Sequence, residues 1–268
     1  AVAFFSSADD ITVPNLDNGT PSGTLAAMTS NNNITWQGIF TPSSNTEDAS
    51  NIFSLATSYT DTAGNTGTVA ASPNYMIDDI NPYVSSFELS DTALKAGETA
   101  VVTLVFSEAV ASFSSDADIT VDNGTLATMT SSDNITWSGT FTPTTGEEEQ
   151  SNELSLATSY TDTAGNSGPS ATTANYEVET LAPSVSSIVI RSATGIQNNF
   201  LNAGDNISVT STFSENVLVT NTPQLTLVVG GDNRTATYTS GSGGRTLVFK
   251  YTIQAGETDF NGISIGAD

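Results

Sequence analysis

The chain has no cysteine and no histidine, and only five basic residues stand against 29 acidic ones in its 268 positions. Each shortage closes a class of function. Without Cys or His there is no structural zinc site, no haem or iron–sulfur ligation, and neither a Ser-His-Asp nor a Cys-His nucleophile. A formal charge of −24 repels phosphate backbones and anionic lipid, so nucleic acid and the membrane surface are excluded as partners. No apolar run reaches the roughly 18 residues that a membrane-spanning helix needs. The absence of thiols leaves the redox compartment open. Residue 1 is Ala, and no charged-then-apolar leader follows it. Hydrophobic residues make up 37%, low for a globular chain but above the disordered class. Oxygen donors are what remains for metals, and they select hard cations such as calcium.

What the chain does have is internal repetition. Asn33-Ile34-Thr35-Trp36 returns 101 residues later as Asn134-Ile135-Thr136-Trp137, and Asp61-Thr62-Ala63-Gly64-Asn65 returns as Asp162-Thr163-Ala164-Gly165-Asn166. Asn81-Pro82 and Ala182-Pro183 keep the same spacing. A third, divergent unit carries Ala203-Gly204-Asp205 and Phe213-Ser214-Glu215 where the second has Ala96-Gly97-Glu98 and Phe106-Ser107-Glu108. The boundaries expected from the X-Pro steps are 1–81, 82–182 and 183–268. Ala1-Val2 aligns with Ala109-Val110, so unit 1 lacks its N-terminal strands, and unit 3 stops before a counterpart of Asp-Thr-Ala-Gly-Asn. Truncated end domains fit a window of a longer tandem array, or a subunit completed by strands of its neighbours.

Unit 2 reads as seven strands: 84–90, 99–107, 117–122, 124–130, 135–142, 153–161 and 171–178. Asp122-Asn123-Gly124 has the composition of a tight hairpin turn joining the third and fourth. Ile135, Trp137, Gly139 and Phe141 alternate with Thr136, Ser138, Thr140 and Thr142, so one face is expected in the core and the other in water. Trp36 and Trp137 are expected at the core centres, with Phe249 in that place in unit 3. Turn signals every 8–15 residues and the absence of a helical period predict an all-β chain of tandem immunoglobulin-like β-sandwich domains in a linear array.

In that topology the loop opening with Ser107-Glu108 and the loop 162–166 lie at the end where the linker 77–81 enters. Asp78, Asp79, Glu108, Asp162 and Asn166 are therefore expected to converge, with a charge that only a cation could compensate. Calcium fits, since it takes 6–8 oxygens in flexible geometry. The same five-residue stretch is also a self-sufficient turn, with Asp accepting from the backbone and Gly or Asn at positive φ. Glu177, Glu179 and Glu215 make a weaker candidate group at the second junction. Glu147-Glu148-Glu149 reads as an exposed acidic loop. Six Asn-X-Ser/Thr sequences are ascribed to chance in a chain so rich in these residues. No carboxylate stands isolated among aromatics, so glycosidase-type chemistry is not expected.

Phe106-Ser107-Glu108-Ala109-Val110, Asp118-Ile119-Thr120-Val121, Asn123-Gly124-Thr125-Leu126, Phe141-Thr142-Pro143 and Asp162-Thr163-Ala164-Gly165-Asn166 resemble the bacterial Ig-like domains repeated in giant surface adhesins, the RTX and biofilm-associated types among them. The resemblance implies a non-enzymatic, extracellular stalk at the bacterial cell surface, stiffened by interdomain calcium, whose partners are neighbouring Ig-like domains of the same chain. The alternatives are a filament, surface-layer or phage-surface subunit packed against identical chains, and an Ig-like module that binds glycan or protein.

Overall fold

Short alternating segments bounded by Gly, Asn, Asp and Pro favour strands over helices. The computed structural model, which describes residues 1–198 and 200–266, is built from them. Ala1–Thr180 and Leu181–Asp268 form two compact units. The first contains two of the sequence repeats.

Repeat 1 opens with β1 (Val2–Ala3), one helical turn α1 (Ser7–Asp10), β2 (Ile11–Thr12) and β3 (Gly23–Leu25). It continues with β4 (Phe40–Pro42), β5 (Glu47–Asn51), β6 (Ser54–Leu55), β7 (Thr60–Asp61), β8 (Ala70–Ala71) and β9 (Tyr75–Asp78). Repeat 2 has β10 (Val84–Leu89), β11 (Ala93–Lys95), β12 (Ala100–Phe106), β13 (Val110–Ala111) and a second helical turn α2 (Ser115–Asp118). Then follow β14 (Ile119–Val121), β15 (Gly124–Leu126), β16 (Thr136–Pro143), β17 (Glu148–Asn152) and β18 (Leu154–Leu156). β19 (Thr161–Asp162), β20 (Ala171–Thr172) and β21 (Tyr176–Glu179) complete it.

One wall of the repeat 2 sandwich is the sheet β10-β12-β16-β15. The other is assembled from β11-β21-β17 and β14-β18-β20, with the pair β13-β19 at one end. The period of two in Ala100–Phe106 puts Val102, Leu104 and Phe106 inside, all at or below 1% exposure. Phe141, Leu154, Leu156, Tyr160, Tyr176 and Val178 meet them in one continuous core. The alternation along β16 falls as the sequence predicts, with Phe141 buried and Thr136, Ser138, Thr140 and Thr142 exposed.

Four expectations are corrected. The strands flanking Asp122-Asn123-Gly124 do not pair: β14 joins β18 and β15 joins β16. Asn123 takes positive φ to turn the chain from one sheet to the other, and hairpin and sheet-changing corner ask for the same residues. The strand expected over 153–161 breaks into β18 and β19, and that over 171–178 into β20 and β21, each piece with its own partners. Trp137 is half-buried and packs its edge on Phe113 at 4.9 Å, so Phe106, Phe141, Tyr160 and Tyr176 form the centre. Glu148 and Glu149 are in β17 opposite Glu179 and Val178 rather than in a loop.

The turn α2, unforeseen because four residues carry no period, is held by a buried carboxylate. Asp118 Oδ2 accepts the Ser114 N–H at 2.7 Å and Oδ1 accepts the Ser159 hydroxyl. Asp10 does the same in repeat 1 with Ser6 and Ser58. Asp118→Ala removes the acceptor that both donors share, and since Ser114 and Ser159 are themselves exposed to water a loss of about 1–2 kcal/mol in urea unfolding is expected, with Asp118→Asn losing less.

Leu181–Asp268 carries β22 (Val185–Thr194), β23 (Asn206–Val217), β24 (Gln224–Val229), β25 (Asp232–Ser240), β26 (Gly244–Thr252) and β27 (Ser264–Ile265). They form one sheet in the order β22-β23-β26-β25-β24-β27. Its core gathers Ile207, Val209, Leu227, Leu247, Phe249 and Tyr251. Arg234, on β25, is held by Glu257 and Asp232. Among the described residues no helix is long and apolar enough to cross a membrane.

Candidate metal centre

Three distant segments meet at one end of repeat 2. Asp78 closes β9, the last strand of repeat 1. Glu108 follows β12. Asp162 ends β19, held by the antiparallel pairing of Val110 with Asp162. Their carboxylate oxygens lie within 4.8 Å of one another. Among the described residues this is the one group of three or more acidic side chains so gathered.

The loop after Asp162 is locked by the carboxylate itself. Oδ1 accepts the backbone N–H groups of Ala164, Gly165 and Asn166 at 2.8, 2.7 and 2.9 Å. The Asn166 amide donates to Asp162 Oδ2 at 2.8 Å and to the Asp78 carbonyl at 3.1 Å, tying the loop to the incoming linker. Asp78 Oδ1 also accepts the Ile80 N–H at 3.2 Å. Asp162 is buried, and burial opposes its ionisation. The Asn166 side chain and the three backbone donors outweigh that, so its carboxyl is held below the usual range. Glu108 goes the other way. Burial first, then repulsion from Asp78, Asp162 and Glu47, pushes its carboxyl up.

Repeat 1 supplies an internal comparison. Asp61 Oδ1 accepts from Ala63 and Asn65 at 2.8 and 2.9 Å, and the Asn65 amide bonds Oδ2 at 2.8 Å. The turn therefore closes without further acids, which accounts for the motif as a turn in both repeats. In repeat 2 Asp78 and Glu108 stand beside the same turn.

The donor set suits a hard cation. Oxygens that share one calcium at 2.3–2.6 Å stand at most about 5 Å apart, which the triad satisfies. The remaining positions would fall to the Asn166 oxygen after an amide rotation, to carbonyls and to water. Asp79 is held elsewhere: its Oδ2 accepts the Asn45 N–H at 3.1 Å. Glu177 and Glu179 are on β21, beside Ala93 and Lys95 of the parallel strand β11, and Glu215 is on β23 of the other unit. Glu47 was missed. It stands opposite Asp78 in the β5–β9 pair and contributes to the field on Glu108. Its only signal in sequence is that it occupies in repeat 1 the position of Glu148 in repeat 2.

No curated protein matches the chain. The family model for the bacterial Ig-like domain matches twice, over residues 2–77 and 78–178. The second match begins at Asp78, so the linker carboxylate is the first matched residue of the repeat whose loops it meets. Two adjacent matches covering most of the chain, on an all-β architecture that repeats its own registers, establish that the chain belongs to the bacterial Ig-like domain family.

Proposed function

We propose that this chain is a structural, non-enzymatic segment of an extracellular bacterial surface protein, in which calcium held by Asp78, Glu108, Asp162 and Asn166 stiffens the link between consecutive Ig-like repeats. The observation that carries the reading is the convergence of three carboxylates from three separate segments on one loop whose backbone the Asp162 carboxylate already holds. The linker supplies one ligand and the loops of the following domain supply the others, so one ion would cross-link them. Without it the three carboxylates repel, and the linker is the softest place to relieve that repulsion. Extracellular modules bind calcium at about 10⁻⁴–10⁻³ M, weak enough to stay empty in a calcium-poor cytoplasm and fill after secretion. The net charge of −24 would keep neighbouring stalks soluble and mutually repelled.

Calorimetric titration of calcium into chelator-treated chain tests this. At a hundredfold excess over Kd, linkage gives about 2.7 kcal/mol. For a unit of this size the corresponding rise in melting temperature is roughly 5–10 °C. Calcium should also protect the bonds around Asp79–Asn81 from proteolysis. Asp78→Asn keeps the shape and removes the charge, so it should abolish both effects, while the chelated melt is kept or slightly raised by the lost repulsion. Calcium uptake by Asp78→Asn equal to that of the parent would sink the assignment.

A further inference from the structure

Repeat 2 ties its sheet-changing corner to β17 and β21 through one buried amide. Asn152, 2% exposed, donates its Nδ2 to the carbonyls of Glu149 and Tyr176, both at 3.0 Å. Its Oδ1 accepts the Asn123 side-chain amide at 2.6 Å. The Tyr176 hydroxyl donates to the Asp122 carbonyl. Asn152 Oδ1 and the Tyr176 hydroxyl are thus both satisfied from residues 122 and 123, with no help from β10, β11 or β12.

Repeat 1 builds the same group with one change. The pairing Gly23↔Pro42 answers Gly124↔Pro143, which puts Ser22 in the place of Asn123 and Pro21 in that of Asp122. Asn51 takes the role of Asn152 and donates to the carbonyls of Asp48 at 3.0 Å and Tyr75 at 3.3 Å. The chain reaches Ser22 by another path, being longer between β2 and β3 than between β14 and β15. That longer turn closes with the Ser22 N–H donating to the Pro14 carbonyl at 2.8 Å, and the Pro21 carbonyl accepts the Ser43 hydroxyl at 3.2 Å. Tyr75 makes no bond like that of Tyr176 to Asp122, and the serine is too short to reach as Asn123 does. Ser22 Oγ, Asn51 Oδ1 and the Tyr75 hydroxyl oxygen are all sealed from solvent, and none has a hydrogen-bond partner among the described residues. Ser22 and Asn51 are themselves 0% exposed. Burial raises the Tyr75 phenol and the Ser22 hydroxyl opposes that rise, so the two are neighbours although not bonded to each other.

We propose that repeat 1 binds one structural water molecule here, held by Ser22 Oγ, Asn51 Oδ1 and the Tyr75 hydroxyl, in the place that the Asn123 carboxamide fills in repeat 2. Leaving a buried polar group unpaired costs more than an ordinary hydrogen bond gains, so native interiors pair such groups with protein or with ordered water. A buried water makes about three bonds, and three partners are offered. Serine in place of asparagine withdraws a carboxamide, which takes about the space of one water. The water donates to Asn51 Oδ1 and accepts from the two hydroxyls. It carries the tie between corner and strands that Asn123 makes directly, and so lets repeat 1 take a longer turn at this corner without leaving its interior unpaired. None of the proposed calcium ligands takes part, so the two readings stand or fall separately.

A crystal structure of the 1–268 chain, at a resolution that shows ordered water, tests this. Density is expected about 2.7–3.2 Å from each of the three atoms in repeat 1, and none between Asn123 and Asn152. In solution, relaxation dispersion of the water nuclei counts the long-lived waters. Ser22→Asn, which restores the residue of repeat 2, should lower that count by one relative to the parent. A dry interior in the crystal, with the three atoms bonded to one another or to other side chains, overturns the proposal. An unchanged count of long-lived waters in a folded Ser22→Asn chain overturns it equally. The parent crystal decides by itself should that variant not fold.

Discussion

Glu108→Gln is expected to move stability in opposite directions with and without calcium. In chelator at pH 7 the wild-type carboxylate is charged in a partly buried place and faces Asp78, Asp162 and Glu47, and the folded state is destabilised by that burial and by the repulsion. A neutral amide of the same shape removes about 1 kcal/mol of it, a rise of roughly 2–4 °C in melting temperature. In saturating calcium the same change removes one of three charged ligands, and affinity should fall about tenfold or more. The pH dependence separates this from a packing effect. The Glu108 carboxyl is raised above its ordinary 4.5, so the folded state holds the proton more tightly than the unfolded one. Its contribution is present below 4.5 and lost as pH rises through the raised value, so the advantage of Glu108→Gln in chelator should vanish in acid. Asp162 has the opposite sign: its lowered carboxyl contributes above 3.8, and that contribution is lost as pH falls through the lowered value. A Glu108→Gln advantage that persisted in acid would show that the charge on Glu108 is not its source.

The largest expected loss comes from Phe106→Ala. This ring is 1% exposed and closes the aromatic group with Phe113 and Tyr160. Truncation leaves a cavity in a rigid sandwich, and about 3–5 kcal/mol should be lost, roughly 10 °C or more in melting temperature. Phe5→Ala, in the half-open group of repeat 1, should cost about 1–2 kcal/mol, because a half-buried ring has less surface to return to water. Equal costs, read from urea midpoints at constant slope, would mean that the difference in burial does not set the cost of the two truncations.

Much of this molecule was legible in its sequence. The faces of β12 and β16 followed from a period of two, because a strand offers its side chains only two directions. The repeat spacing placed the Asp-Thr-Ala-Gly-Asn turn twice, and alternating strand directions were enough to bring Asp78, Glu108 and Asp162 to one end. Local composition could not go further where two structures need the same residues. Asp122-Asn123-Gly124 serves a sheet-changing corner as well as a hairpin, and Glu147-Glu148-Glu149 looks like a loop until β21 is seen beside it. The turn α2 is set by Asp118 reaching Ser159, a contact across 41 residues that no window contains.

The sequence by itself determined the strand-rich class, the repeat and the oxygen-only chemistry, because charge, residue type and alternation are properties of the chain before it folds. Tertiary structure alone decided that Asp79 turns to Asn45 while Asp78 turns to the cluster, and that Glu47 joins the field there. It alone decided that Trp137 lies beside the core rather than at its centre. These depend on which distant segments arrive next to one another, and pairing across a sandwich is fixed by the packing of whole faces rather than by any single stretch of residues.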